Sequence, residues 1–517
     1  MKKIFTLFII GTMLLIPACT NLDEVLYSEM SKDEFLSSGE NLAFYTSTPY
    51  TRLQDWGVEQ GYWTLVLQLS NEVAVPKSWD GHWGETRYGE LQTHEIPSTN
   101  KLVRTGWEFC FNGISACNDA LFEIEKSNIQ SDAVNTNIAE IKVLRAYYYL
   151  LAIDLWGGVP YSVDKKETDY PKMKSREDMF DFIEEEITNN LQYLTEVPSA
   201  ATYGRVTKDV ANFILAKLYL NAEVYTGTAK WTEAANVCKG IMETGHYSLT
   251  ETYKENFQIY NENSTEAIFA IPYSNIYTPR KFYIYVLTLN PDLEPVWQVG
   301  GTWNGTFMGQ PDFMASYDAN DNRKKDTWLY GDIYDSKGKR VQYQDGVDSN
   351  NNPILKELSL QDTGIPETNY GRGIGRNQGA RIQKWDYQDG GILVDYSVSM
   401  ENDFILMRYS DVVLMYVEAL VRSGQAGTAA EVTEFKAIRE RAGLAPMTSG
   451  ELTLDNLLVE RQHEMALEGW SRSDLVRFGK YTDQWWAKPA GQTYMKLLPI
   501  PEEMRGSNPN LGQNPGY

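Results

Sequence analysis

Four helical segments fall into two close pairs. Residues 206–225 are apolar and Ala-rich, and after a short turn an amphipathic stretch at 231–244 runs to Gly245. Residues 408–423 stand in the same relation to 429–441. Isolated helices of this length are marginal in water and persist only when an apolar face is covered. Two such hairpins in one chain therefore predict hairpins stacked on hairpins, each covering the next. Further helical signals surround them. Trp107, Phe111, Ile114, Leu121 and Ile124 recur at helical spacing within 104–126. Residues 138–151 continue the pattern until Gly157-Gly158-Val159-Pro160 stops it. Ser175 is placed to N-cap a helix with Asp178 three positions on, the helix ending near Pro198. Residues 454–469 form the last helical run.

The expected fold class is mostly α. Paired antiparallel helices with Ala at their crossings resemble tetratricopeptide units, although the full repeat motif is absent, and they predict a helical-hairpin solenoid scaffold. The scaffold falls mainly in 104–250 and 404–480. Two regions break it: 55–100 is loop-like and aromatic, and 251–403 is rich in Gly, Asn, Asp and Tyr with short strand-like runs such as 266–271. Ordering so long an irregular segment is costly, and segments of this kind commonly carry function.

The N-terminus reads as an address. Lys2 and Lys3 precede an apolar run at 4–16 and then Pro17-Ala18-Cys19, the layout of a secretory leader. The run is too short to span a bilayer as a mature helix. Leu15-Ile16-Pro17-Ala18-Cys19 resembles a bacterial lipobox, which implies a leader over 1–18, lipidation of Cys19, and a single folded unit over 19–517. Several acyl chains, at about 0.8 kcal/mol per buried CH₂, make a durable anchor. The acidic pair Asp23-Glu24 resembles the export signal of surface lipoproteins in Bacteroidetes. Cys110 and Cys117 lie about two helical turns apart, ~10.5 Å, too far for a disulfide. With Cys238 they read as small buried apolar side chains.

The formal charge of −23 becomes −25 without Lys2 and Lys3. Such a field repels nucleic acid and suits a neutral ligand. The chain has four His and no HExxH, GxSxG or Walker loop. With 70 acidic residues, a pair of glycosidase-like carboxylates carries no information. No enzyme activity and no cofactor are expected. The Asp/Asn-rich stretches 318–326 and 345–352 offer oxygen ligands for a structural Ca²⁺, but neither has the calcium-loop spacing, and solvated loops are the reading adopted.

Four blocks, in order, resemble the SusD/RagB family of outer-membrane nutrient-binding lipoproteins. They are Arg145-Ala146-Tyr147-Tyr148-Tyr149 with Asp154-Leu155-Trp156-Gly157-Gly158-Val159-Pro160; Arg408-Tyr409-Ser410-Asp411 running on to Leu420; Glu460-Arg461-Gln462-His463-Glu464 running on to Lys480; and Leu498-Pro499-Ile500-Pro501 with the ending Asn508-Pro509 to Gly516-Tyr517. The resemblance implies capture of a glycan and its delivery to a SusC-like TonB-dependent β-barrel transporter, with the alternative of a peptide or another non-sugar nutrient. The hallmark residues read as structural: Arg145 and Asp154 satisfying one another or nearby backbone, and Arg461, Glu464 and Glu468 forming a buried ion network.

A sugar ring presents a flat C–H face to an aromatic ring, and its hydroxyls need directional partners. Two stretches have that composition. Asn71, Trp79, Asp80 and Trp83 lie in 70–83, where the family carries an aromatic binding loop. Trp297, Trp303 and Asn304 lie in 297–305, within the family's variable insert, preceded by Tyr273, Tyr277 and Tyr283. Arg372 and Arg376 add charged donors. Each Trp also has the alternative role of an anchor packed on the scaffold. Trp with Asn, Asp and Gly favours a neutral oligo- or polysaccharide over a peptide, which would use sheet edges.

Overall fold

The computed structural model describes residues 39–58, 60–75, 86–126, 130–165, 169–274, 276–278, 282, 291–297, 307–365, 379–387 and 400–517. Its helices relevant to the site are α1 (Gly39–Leu53), α2 (Tyr62–Gln68), α3 (Lys101–Lys126), α4 (Asp132–Trp156), α5 (Arg176–Thr188), α6 (Lys208–Leu220), α7 (Trp231–Glu243), α8 (Tyr409–Arg422), α9 (Thr433–Arg441), α10 (Leu454–Glu464) and α11 (Ser471–Arg477). Its strands are short: β1 (Val73–Ala74), β2 (Ala267–Ile271), β3 (Met308–Gly309), β4 (Gln342–Val347), β5 (Pro353–Glu357) and β6 (Phe404–Arg408).

Helices α3 to α9 pack each on the next in chain order, and α1 covers the outer side of α3. This is the expected tetratricopeptide-like array. The order holds across the 251–403 insertion, because α7 packs directly on α8. Local chemistry sets the ends. Ser131 caps α4 by accepting from the Val134 N–H at 3.3 Å. Gly157 closes it at φ 74°, a conformation that favours glycine. Ser175 and Asp178 form the reciprocal capping box of α5. That helix ends at Thr188, short of the expected Pro198.

Tyr147, Tyr148 and Tyr149 are fully buried at helix crossings. Tyr148 donates to the Pro49 carbonyl at 3.0 Å, and Tyr149 to Ser162 at 2.8 Å. The Tyr148 ring lies over Gly113 of α3, where a Cβ would sit 2.4 Å from it. Cys110, Cys117 and Cys238 are free and buried. Arg145 and Asp154 do not pair, and of the two expected arrangements it is nearby backbone that Arg145 takes. Arg145 reaches Glu186, Asn118 and the Val163 carbonyl. Asp154 takes Arg472 at 2.7 Å and the Tyr225 hydroxyl at 2.9 Å. They lie nine positions apart on one helix, too far along its axis to meet.

The irregular expectation for 55–100 fails in part. All seven residues of α2 are buried, so no amphipathic period marks it, and Thr86–Thr93 is helical too. The insertion begins and ends in one ladder, β2 pairing antiparallel with β6 in the register Phe404↔Ile271 and Ile405↔Ala270. Its Asp/Asn-rich stretches spend their carboxylates on turns. Asp321 caps the helix Asn322–Thr327 and pairs with Arg323. Asp348 accepts the N–H groups of Asn350 and Asn352 at 2.8 Å each in the β4–β5 turn.

The insertion is held to the solenoid by buried charge. Arg408, at the end of β6, reaches Glu266 at 3.1 Å, Glu464 at 2.7 Å and Glu468 at 2.8 Å. Arg441 joins Glu266 and Glu464. Arg323 ties Asp321 to Glu460 and Glu464, and Lys384 meets Glu468 at 2.6 Å. With Arg439 on Glu460 the formal charges cancel. Arg461 does not pair with Glu464 or Glu468, although they sit close in sequence. It faces the other way, to Asp411 and Asp474 at 3.1 Å. The sequence reading of one network thus resolves into two, on opposite sides of α10.

Removing one member of a buried pair strands its partners and costs about 3–5 kcal/mol. Arg408→Met leaves Glu266, Glu464 and Glu468 without their shared cation. Urea unfolding at neutral pH is expected to show a loss of that size, and a loss below about 1 kcal/mol would contradict the role assigned to Arg408.

Candidate functional site

The sequence places the candidate ligand residues on three separate segments, and the structure shows where those segments are rooted. β1 and β3 pair antiparallel, Val73 opposite Gly309 and Ala74 opposite Met308. Residues 76–85 therefore leave, and residues 298–306 arrive, at the same end of one ladder. Gly309 donates to the Ala380 carbonyl at 2.9 Å. Gly379 sits at φ 82° so close to Met308 that a Cβ would lie 2.4 Å from its side chain. The segment 366–378, which carries Arg372 and Arg376, thus ends at the same point. Ala74, Met308 and Ile365 share one small buried apolar cluster. The described residues that flank the three segments, Ala74, Met308, Ile365 and Gly379, thus lie together although far apart in the sequence.

Trp79, Asp80, Trp83, Tyr283, Trp303, Asn304, Arg372, Arg376 and Cys19 lie outside the described residues. The other candidates divide. Asn71 is half-buried, and its side-chain carbonyl accepts from the Gln462 amide at 2.6 Å. Gln462 also donates to Ser471 at 2.9 Å, so Asn71 is fixed to α10 and α11. Trp297 ends a short helix, Glu294–Trp297, half-buried, with its ring edge-on to Tyr387 at 4.8 Å. Tyr277 is 85% exposed. Tyr273 is a correction. It is buried, its ring packs on Phe282 at 5.1 Å, and its hydroxyl accepts from Gly57 and donates to the Gln54 carbonyl. With no open face it is a strut between the insertion and the chain after α1. Its place in an apolar-flanked run after β2 fits that role, whereas Tyr277 four residues on stands in a polar turn.

Two residues beside the site escaped the sequence reading. Tyr387 gives Trp297 its ring partner, and the polar, Gly-rich stretch around it has the same composition as the stretches that were singled out. Glu72 directly precedes β1 and is buried. One carboxylate oxygen accepts from the Leu467 N–H at 3.2 Å, and the other has no hydrogen-bond partner among the described residues. Its backbone carbonyl accepts from Gln310 N–H at 2.9 Å, next to β3. Burial pushes the carboxyl up to about 8, against the Leu467 hydrogen bond and Lys384, with Glu468 and Asp474 adding to the rise. A lone acidic residue before Val73-Ala74-Val75 was its only signal.

Residues 242–517 match the model of the SusD family, and 22–220 match a model described as starch-binding and associating with the outer membrane. The starch-binding protein SusD of Bacteroides thetaiotaomicron is 26% identical over 80% of this chain and 79% of its own length. A SusD-like protein of Bacteroides ovatus is 24% identical over 92% and 82%. Surface glycan-binding protein A of Bacteroides thetaiotaomicron, solved with laminarihexaose, superposes with a TM-score of 0.72 at 19% identity, over 92% of this chain and 99% of that one.

The Glu72 carboxyl lies above its ordinary value of 4.5 only in the folded protein. The folded state then holds its proton more tightly, so stability from this group is full below about pH 4.5 and falls as pH rises to about 8. Urea unfolding of the wild type against Glu72→Gln is expected to diverge over that window, the wild type losing up to about 1.4 kcal/mol per pH unit relative to the variant. Parallel pH profiles would contradict the assignment.

Proposed function

The chain belongs to the SusD family, and from that premise we propose that it is a glycan-binding lipoprotein of the bacterial outer membrane. It captures a neutral oligo- or polysaccharide at the cell surface and passes it to a SusC-like TonB-dependent transporter without cleaving it. The observation that carries this reading is the common rooting of the three segments holding Trp79, Trp303 and Arg372 on the β1–β3 ladder. Trp with Asn, Asp and Arg in the sequence of these segments supplies the residue types for stacking faces and directional hydrogen bonds. Tyr277 and the Trp297–Tyr387 pair extend the aromatic supply on the described side. The names of two relatives, a starch-binding protein and a surface glycan-binding protein, support the same ligand class.

The anchor is lipid on Cys19, exposed once the leader 1–18 is removed. No helix among the described residues is long and apolar enough to cross a membrane. The strongly acidic chain favours neutral glycans over sulfated or uronic ones. A protein that must release its cargo needs only modest affinity, about 5–6 kcal/mol, in the high micromolar range.

Affinity electrophoresis of the leaderless protein through gels holding different neutral polysaccharides tests the reading. Retardation is expected in at least one gel, abolished by Trp79→Ala or Trp303→Ala. Free migration in every gel, with binding of peptides instead, would refute the carbohydrate assignment.

A further inference from the structure

The second charged network, on the Arg461 side of α10, borders a cavity where α2, α4, α6 and α11 meet. Trp56, Asp154, Lys217, Trp470 and Arg472 are among its walls. Its volume of about 20 Å³ has room for one species of about the size of a water.

The walls are rich in donors. The indole N–H groups of Trp56 and Trp470 are buried and have no hydrogen-bond partner among the described residues. An indole N–H and an ammonium can donate but not accept. The Lys217 ammonium is buried and lies 4.0 Å over the Trp470 ring, and its one oxygen partner among the described residues is Asp411 at 2.6 Å. Asp154, the carboxylate in the wall, is already engaged by Arg472 and the Tyr225 hydroxyl.

Charge points the same way. Lys217, Arg422, Arg461 and Arg477 face Asp411, Glu418 and Asp474. At the same cavity Arg472 and, at 4.0 Å, Arg176 share Asp154. Six cations thus meet four carboxylates, whereas the knot around Arg408 is balanced. Uncompensated charge is costly away from water. Burial pulls the Lys217 ammonium below its ordinary value, with Asp411 the main opposing influence.

We infer that this cavity is a binding site for one monatomic anion, a chloride or bromide, held by the Lys217 ammonium and the indole N–H groups of Trp56 and Trp470. A water's lone pairs cannot take all of these donors, and a water brings no charge. A halide accepts from each and offsets part of the surplus. A polyatomic anion such as sulfate exceeds the volume, and a metal cation is repelled by the surplus. The inference does not depend on the glycan reading. The ion acts on the frame, where Asp154 and Arg472, from two of the hallmark blocks, come together.

Crystals grown in sodium bromide test the site on the unaltered protein. Anomalous density for bromide is expected between Lys217 and Trp470, and its absence there would overturn the inference. At matched ionic strength, the urea midpoint is expected to be higher in chloride or bromide than in gluconate, which is too large to enter. That gain should saturate as a single site fills. Trp470→Phe removes one donor and keeps a ring beneath Lys217, so the halide concentration at half-saturation is expected to rise at least about tenfold. Should Trp470→Phe fold poorly, Trp56→Phe is read in the same way. Equal midpoints in the three salts, a gain that climbs without saturating, or a halide response unchanged in the variants would each overturn the inference.

Discussion

The Arg408 guanidinium is buried where the long insertion rejoins the helices, and it faces Glu266 from the insertion's first strand and Glu464 and Glu468 from the C-terminal region. Carboxylates in such a place are costly to desolvate unless cations surround them. Here burial alone would raise Glu464, yet Arg441, Arg408 and Arg323 hold it down at about 2. Every carboxylate in the knot is matched by a cation, Asp321 by Arg323 two residues on and the others by cations from more distant parts of the chain. Such an arrangement contributes less to stability than to uniqueness: an insertion docked in any other register would leave bare charges in the core. It fixes the ends of a segment whose own strands, two to six residues long among those described, could not hold it in place.

That anchorage extends to the β1–β3 ladder. β3, which shares a ladder with β1, lies between Glu266 and Arg408 in sequence, in the same insertion as Arg323 and Lys384. Lys384 follows the strand pair Arg381–Ile382 that trails Gly379, and its ammonium bonds Glu468 in the knot. Glu72, just before β1, bonds Leu467 next door. The β1–β3 ladder is therefore continuous with the charged core through Glu72, Lys384 and Glu468.

Much of the frame was legible beforehand because helical periodicity, Gly-Pro stops and N-caps are local signals. The hairpins at 206–244 and 408–441 and the capping box at Ser175 stand where expected. Helix α2 was hidden because burial on all sides erases its period. Pair identities were hidden for a different reason. Arg145 and Asp154 sit in one motif but meet Glu186 and Arg472, and only the packing of distant helices decides that. For the site, aromatic-rich polar composition picks out segments whose described flanks, Ala74 and Met308 among them, β1–β3 pairing brings together. Composition did not separate the buried Tyr273 from the exposed Tyr277.

Through this charge knot, insertion and solenoid form one cooperative body. Native-state hydrogen exchange followed from pH 7 down to pH 2 tests it most directly. Against burial, Glu464 lies at about 2, held down by Arg441, Arg408 and Arg323, and Glu266 is likewise held well below its ordinary value by Arg441 and Arg408. Their contribution is therefore present above about pH 4.5 and is lost as pH falls toward 2. Amides in β2, β6 and α8 are expected to lose protection together over that window. Exposure of β2 and β6 at a pH where α8 stays fully protected would show that the insertion is held by something else.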